Sequence, residues 1–305
     1  MTTERPLNLV WRRTMLDGVL EASFLRLVVL SGIGRPQRWV AVEDSQPLPE
    51  LDDLLVCSFG DCGDYLRTLR AAGKRNIGVL HLGDERGSDD IGFYAEADYV
   101  LRHYHRLDLP QAAGHCRRVT WLPNGWARGV GPVTPAHQLS FTARNHEIFF
   151  AGFAGKDGKR LPARQAMLDA LTALGRAATV ILTDGFAQGL GPSAYSAYLG
   201  NTKFALAPAG NAPETIRFYD ALECGALPVV TDNAWLHDAE GIAVLGPPPV
   251  PILDDWRDLA ALLGTPYGES HRQAAQDWWQ RLKSTTAARA AETIDAAFAA
   301  TEHAP

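Results

Sequence analysis

Along this chain, short apolar runs alternate with stretches in which apolar residues recur every three to four positions. That alternation predicts an α/β protein with parallel sheets. In the first half the strand candidates are Leu54–Ser58, Ile77–Leu82, Tyr99–Arg102 and Val119–Leu122, with a helix over Gly63–Ala72. In the second half the pattern predicts strands at His146–Ala151, Thr179–Thr183, Phe204–Pro208, Leu227–Thr231 and Ile242–Leu245. Helices are expected at Pro162–Gly175, Tyr195–Asn201, Glu214–Cys224, Asp254–Leu263 and across much of Ser270–Ala300, the last a tail able to pack back on the first half. Proline in the first turn suits the start at Pro162, where a missing N–H costs nothing. Gly225 suits the end of the helix before it.

Between the halves, Gly129–Asn145 carries prolines and little periodicity and reads as a crossing segment. The expected domains are therefore residues 1–140 and 141–305, each large enough to bury its own core.

Composition changes this picture little. The 305 residues are 46% hydrophobic and 21% charged, with a formal charge of −6. Mild acidity argues against a general nucleic-acid binder, which needs a basic field. Cys57, Cys62, Cys116 and Cys224 form no CxxC pair and read as reduced structural thiols, with no metal expected. The start of the chain lacks the apolar stretch of a signal peptide, and the run Phe24–Leu30 is too short to cross a bilayer. A cytoplasmic protein is expected, with contact at the inner face of the membrane left open.

In open parallel sheets, ligands bind beyond the carboxyl ends of the strands. After Phe204–Pro208 comes Ala209-Gly210-Asn211-Ala212-Pro213-Glu214-Thr215-Ile216-Arg217. Gly210 lets backbone approach a ligand, and Asn211 or Thr215 is placed to cap the helix. Free amides at a helix start favour an anion such as a diphosphate, and Arg217 adds a charged donor. Glu214, Arg217, Asp220 and Glu223 recur every three residues and share one helix face. That face suits either ribose hydroxyls or ordinary surface ion pairs. A second basic, glycine-rich loop runs from Gly152 through Lys156, Lys159, Arg160 and Arg164. It reads as a phosphate cradle or a solvated loop, and its glycine spacing is not that of a Walker A motif.

The stretch from Lys203 to Val230, KFALAPAGNAPETIRFYDALECGALPVV, resembles the donor-site signature of exostosin-like glycosyltransferases. The shared pattern is roughly K-F-x-L-x-P-x-G, a short loop, then R-x-x-E-A-L-x-x-G-x-I-P-V-V. The resemblance implies a GT-B architecture, two Rossmann-like lobes facing a cleft, and inverting, metal-independent transfer with no cofactor. It implies donor contacts from Gly152, Arg160, Arg164, Lys203, Pro208, Gly210, Asn211, Thr215 and Arg217. Asp220 stands where the family usually carries glutamate at the ribose, with Glu223 one turn on. Ala212 occupies the position at which many retaining GT-B enzymes carry an acid.

In the first half, three strands run into polar loops: His81-Leu82-Gly83-Asp84-Glu85, then His103-Tyr104-His105, then Pro123-Asn124-Gly125. These phrases also resemble the acceptor lobe of bacterial exostosin-like proteins. An inverting transfer needs a base for the acceptor hydroxyl and positive charge for the departing diphosphate. Asp84 and Glu85 are the candidate bases, with His81, His103 and His105 as competitors; the plainer reading is that the two acids flank a turn. His81, Arg102, His105 and Asn124 are the expected acceptor contacts. Trp121 and Trp126 flank Asn124 and suit either sugar stacking or the core, whereas Trp278 and Trp279 suit sealing a helix.

The expected function is inverting transfer of a sugar, of hexosyl or glycuronosyl type, from a nucleotide-sugar, UDP-linked by preference, to a saccharide or glycolipid acceptor in surface polysaccharide biosynthesis. The alternatives are a non-catalytic nucleotide-sugar or glycan binder on the same scaffold, and another GT-B chemistry such as epimerisation or retaining transfer.

Overall fold

The structure, a computed structural model, describes residues 5–12, 19–42, 50–109, 118–156, 159–175, 178–185 and 188–302. The chain divides into two units, one of Met1–Pro123 with Lys283–Pro305 and one of Asn124–Leu282.

The first unit is built on a six-stranded sheet. Strand β1 (Leu7–Arg12) leads to the helical segment α1, a short helix Ala22–Phe24 continued by a π turn Leu25–Val29 and a 3-10 turn Leu30–Gly32. Then follow β2 (Gln37–Val42), β3 (Leu54–Ser58), helix α2 (Gly63–Ala71), β4 (Ile77–His81), a 3-10 turn Gly92–Glu96, β5 (Tyr99–Arg102) and β6 (Val119–Trp121). The strand order is β2-β1-β3-β4-β5-β6, and every pair is parallel. Leu54, Val56, Ile77, Val79 and Val100 pack against Leu66 and Leu69 of α2, so the strands meet the helix over a continuous apolar face.

The second unit opens with irregular chain and the 3-10 turns Pro135–His137 and Phe141–Ala143. Next come β7 (His146–Gly152), a small antiparallel hairpin of β8 (Gly155–Lys156) and β9 (Lys159–Arg160), helix α3 (Pro162–Leu174), β10 (Thr179–Leu182) and α4 (Pro192–Gly200). They are followed by β11 (Thr202–Leu206), α5 (Ile216–Glu223), β12 (Leu227–Thr231), α6 (Trp235–Asp238), α7 (Glu240–Leu245), β13 (Ile252–Leu253) and α8 (Leu259–Gly264). The sheet order is β10-β7-β11-β12-β13, all parallel. The connection after β7 goes to one side and later strands go to the other, so the order reverses between β7 and β11. At such a switch point the loops diverge and leave a crevice beyond the strand ends.

The last helix, α9 (Glu269–Glu302), gives its first part to the second unit and its last part to the first. In the first unit, Phe298 and Ile294 are fully buried, Asp295 accepts from Arg35 at 2.7 Å, and Thr120 and Thr293 share a 2.7 Å hydrogen bond. In the second, Trp278 and Trp279 are buried and Trp278 Nε1 donates to the Gly246 carbonyl. Both tryptophans therefore seal a helix.

Three expectations are corrected. The run Ile242–Leu245 lies in helix α7, and the strand comes later, at β13. Strands β1 and β2 had no counterpart in the sequence reading. The units part after Pro123, ahead of the expected boundary at residue 140. The reason is that residues 124–139 are tied into the second unit by hydrogen bonds to α5 and through Arg144. The Arg144 guanidinium donates to the carbonyls of Leu139, Leu199, Thr202 and Cys224. Burial first, and then nearby Arg272, lowers the pKa of this guanidinium to about 10.

Candidate functional site

In the second unit the site grows from the switch point between β7 and β11. β7 ends at Gly152, whose amide neighbourhood is occupied by Arg217: a Cβ at Gly152 would lie 2.3 Å from Nη2 of Arg217. Arg217 Nε donates to the Ala151 carbonyl at 2.9 Å, and its guanidinium lies 5.8 Å from the centre of the Phe150 ring. Arg217 is half-buried, and among the described residues no carboxylate pairs with it. Arg164, in the first turn of α3, donates from Nη1 to the Phe153 carbonyl and lies against Gly210 in the loop after β11. Two guanidinium groups thus meet the chain at Ala151 and Phe153, where β7 gives way to its loop.

This arrangement has a local cause. Gly152 and Gly210 lack the Cβ that would displace the arginines, so backbone and charge approach closely. Arg217 sits in the first turn of α5, where the dipole is positive and another cation is least at home without an anion. A half-buried guanidinium held by one carbonyl retains donors for a phosphate.

The remaining donor-side expectations fall out unevenly. Helix α5 begins at Ile216, after Glu214, with Thr215 as its N-cap residue. The Thr215 hydroxyl is buried and makes no capping bond. Glu214 and Thr215 are buried, Gly210 is half-buried and Asn211 is exposed. Pro208 is buried at the carboxyl end of β11. The Arg160 side chain lies outside the described residues. The glycine-rich loop after β7 contains the paired strands β8 and β9, and residues 157–158 with the side chains of Lys156 and Lys159 also lie outside the described residues.

Lys203, Asp220 and Glu223 are corrected. Lys203 lies near the start of β11, at the end opposite the switch point, and pairs with Glu147 at 3.0 Å. Asp220 and Glu223 are each 2% exposed. Asp220 Oδ1 accepts the Ala127 amide at 2.8 Å. Glu223 accepts the Val133 amide through Oε1 at 2.8 Å and Trp279 Nε1 through Oε2 at 2.7 Å. Glu214 accepts the Asn124 amide and the Tyr219 hydroxyl through Oε1. Glu214, just ahead of α5, and Asp220 and Glu223 along it therefore pin the chain at residues 124, 127 and 133, whose amides would otherwise lack acceptors.

In the first unit, a polar cluster follows β4 and β5. Asp84 is its centre: Oδ2 accepts from Arg102 at 3.0 Å and Arg106 at 3.1 Å, and Oδ1 accepts the Asp89 amide at 2.8 Å. Burial alone would raise its pKa, but these three donors outweigh burial and hold it below the usual carboxylate range. A carboxylate so held is a poor proton acceptor, so Asp84 is a clasp and not the base. Arg102 is fully buried and also donates to the Tyr94 hydroxyl and to the carbonyls of His103 and Tyr104. Its charge is spent inside the protein and cannot bind a sugar.

His81 is equally enclosed, with Nδ1 2.7 Å from the Tyr94 hydroxyl. Burial first, then Arg102, lowers its pKa to about 4 despite the opposing charge of Asp84, so the ring is neutral near pH 7. His103 is 1% exposed and is lowered by burial to about 3. Asn124 is fully buried. His81, Arg102 and Asn124 are thus removed from the set of acceptor contacts. Trp121 and Trp126 are also core residues. Glu85 and His105 remain half-exposed, and the Tyr104 hydroxyl lies 3.4 Å from Glu85 Oε1. Tyr94, Arg106 and Asp89 escaped the sequence reading; the spacing of Asp84 and Arg106 carries no periodic signal.

Cys57, Cys62 and Cys224 are buried free thiols, and Cys116 lies outside the described residues. Among the described residues no helix is long and apolar enough to cross a membrane.

Residues 190–299 match the family model described as the RXYLT1 C-terminal domain, an exostosin-like relative. The match contains the whole Lys203–Val230 signature, α5 and Arg217, so the exostosin-like resemblance holds for the C-terminal part of the chain. No curated protein matches the sequence. Among solved structures, the chain is similar to one reported in a study of retaining glycosyl transfer by trehalose-6-phosphate synthase, at 10% identity and a TM-score of 0.49, covering 98% of this chain and 99% of that one. It is similar also to the glycosyltransferase SnogD from Streptomyces nogalater, at 14% identity and a TM-score of 0.38, covering 97% and 100%. At these scores the likenesses say nothing of substrate or mechanism. The α/β architecture itself, two units each on a parallel sheet, is that expected for a GT-B protein.

Proposed function

We propose that this chain is a glycosyltransferase that binds the diphosphate of a nucleotide-sugar, UDP-linked by preference, at the Arg164–Arg217 site. The observation that carries the reading is the half-buried Arg217, without a carboxylate partner among the described residues, at the β7–β11 switch point. On this reading the two guanidinium groups hold the donor and then stabilise the diphosphate as it departs. Transfer inverts the anomeric carbon, needs no metal and delivers the sugar to a saccharide or glycolipid acceptor. The acceptor hydroxyl gives its proton to Glu85, the candidate acid that is half-exposed. The sugar is of hexosyl or glycuronosyl type, and the setting is surface polysaccharide synthesis in the cytoplasm, at the membrane face when the acceptor is lipid-linked.

The test is turnover with a panel of UDP-, GDP-, TDP- and CMP-sugars, with product configuration read by NMR. Inverted product from a UDP-sugar, lost in Glu85→Gln with UDP binding intact, supports the reading. Retained configuration contradicts the inverting step. UDP binding with no turnover from any donor points to the non-catalytic binder.

A further inference from the structure

A second concave site lies in the first unit, built from residues that the donor reading does not use. A cavity of about 330 Å³ is lined by Trp11 of β1, Trp39 of β2 and Ala22, Leu25 and Arg26 of α1. That volume is at the lower end of the range for small-ligand sites, roughly 300–1,000 Å³. The strand register pairs Leu9 with Trp39 and Trp11 with Ala41, which puts both indoles on one face of the sheet as diagonal neighbours. Their rings stack, with centroids 5.3 Å apart and planes 20° from parallel.

The two indoles differ in what they leave open. Trp11 is 2% exposed and serves as the floor, whereas Trp39 is 47% exposed. A tryptophan so exposed forgoes much of the burial that usually dominates its energetics. Its ring is nevertheless held in place from behind by Trp11, so it is a fixed platform rather than a loose surface side chain. Arg26 is exposed on the same lining, and among the described residues no carboxylate pairs with it. The lining contains no acidic residue.

We infer that this slot binds a saccharide bearing an acidic substituent, of the uronic-acid type. A pyranose offers a flat C–H face to an indole and a rim of oxygen atoms to a guanidinium fork. Its carboxylate supplies the anion that Arg26 lacks. An acyl chain suits the site less well, because a charged fork on the lining would be desolvated without an acceptor. The site stands on the first unit's own residues and does not rest on the donor reading.

The test is titration of the full chain, without nucleotide, with galacturonic acid hexamer and with cellohexaose, followed by calorimetry and tryptophan fluorescence. The acidic hexamer is expected to bind and the neutral one to bind more weakly. Trp39→Ala should weaken both by about tenfold or more, and Arg26→Ala should weaken the acidic hexamer alone by a similar factor. Circular dichroism and melting temperature check that both variants fold. Absence of binding at millimolar hexamer, or binding that Trp39→Ala leaves unchanged, overturns the proposal. So does equal binding of the two hexamers that Arg26→Ala leaves unchanged. Trp39-dependent binding to phosphatidylglycerol vesicles without hexamer binding also overturns it and makes the slot a lipid contact.

Discussion

Trp279 donates its indole N–H to Glu223 at 2.7 Å, and the other oxygen of Glu223 accepts the amide of Val133. A buried carboxylate thereby joins helix α9, helix α5 and the chain that opens the second unit. Glu223→Ala leaves both donors buried without an acceptor, at about 1–3 kcal/mol each. We expect urea unfolding to show a loss of about 2–5 kcal/mol, with Glu223→Gln losing less because one acceptor oxygen remains. A loss below about 0.5 kcal/mol for the alanine variant would rule out this structural role.

Asp84 should behave as a clasp and not as a base. Removing one member of a buried, hydrogen-bonded ion pair typically costs about 3–5 kcal/mol, so Asp84→Asn should lower the melting temperature sharply. Its depressed pKa means that its stabilisation is complete above the unfolded value, near 4, and fades as pH falls through the folded value. If Asp84→Asn folds as stably as the parent chain and abolishes turnover, the clasp assignment is wrong and the base assignment returns.

His81 and His103 should make the fold sensitive to acid at a higher pH. Their folded pKa values, about 4 and about 3, lie below the ordinary 6.5. As pH falls through 6.5 the unfolded chain takes up protons that the folded chain refuses, so stability falls from about pH 6.5 down towards 4. Each histidine contributes a slope approaching about 1.4 kcal/mol per pH unit. Urea midpoints measured at pH 7, 6 and 5 should decline accordingly, and His103→Phe should flatten the decline. A midpoint that stays constant from pH 7 to 5 would contradict the burial of both rings.

Much of this architecture is legible in the amino-acid pattern. Residues 146–152, 162–174 and 227–231 stand out because apolar period, proline and glycine agree there. Strands β1 and β2 are harder to see, since LNLVWR and QRWVAV place Asn8 and Arg38 inside short runs. The run Ile242–Leu245 is apolar and short, and periodicity cannot tell a buried helix turn from a strand at that length. The site divides in the same way. Spacing correctly puts Asp220 and Glu223 on one face of α5, but a helix period says nothing of what covers that face. Here the cover is residues 127–133 and Trp279, distant in sequence and therefore invisible to local reasoning. The position of Arg217 in the first turn of α5 is legible because it depends on a helix start, a local feature.

Gly152 and Arg217 should act as one unit. A methyl group at residue 152 would meet the Arg217 guanidinium and push it aside. Gly152→Ala is therefore expected to weaken UDP binding in the parent chain but to add little once Arg217 is alanine, a non-additivity that a double-mutant cycle measures. Additive losses would place the two residues in separate roles. Lys203→Ala, at the far end of β11, should leave UDP affinity unchanged and cost at most about 1 kcal/mol, as exposed ion pairs do.

The most direct test is calorimetric titration of UDP into the parent chain, Arg217→Ala and Arg217→Lys. The account predicts binding to the parent chain and a loss of about tenfold to a hundredfold in the alanine variant, as expected for one charge-assisted hydrogen-bonding group, with partial recovery in lysine. A folded Arg217→Ala protein that binds UDP as tightly as the parent chain would contradict it.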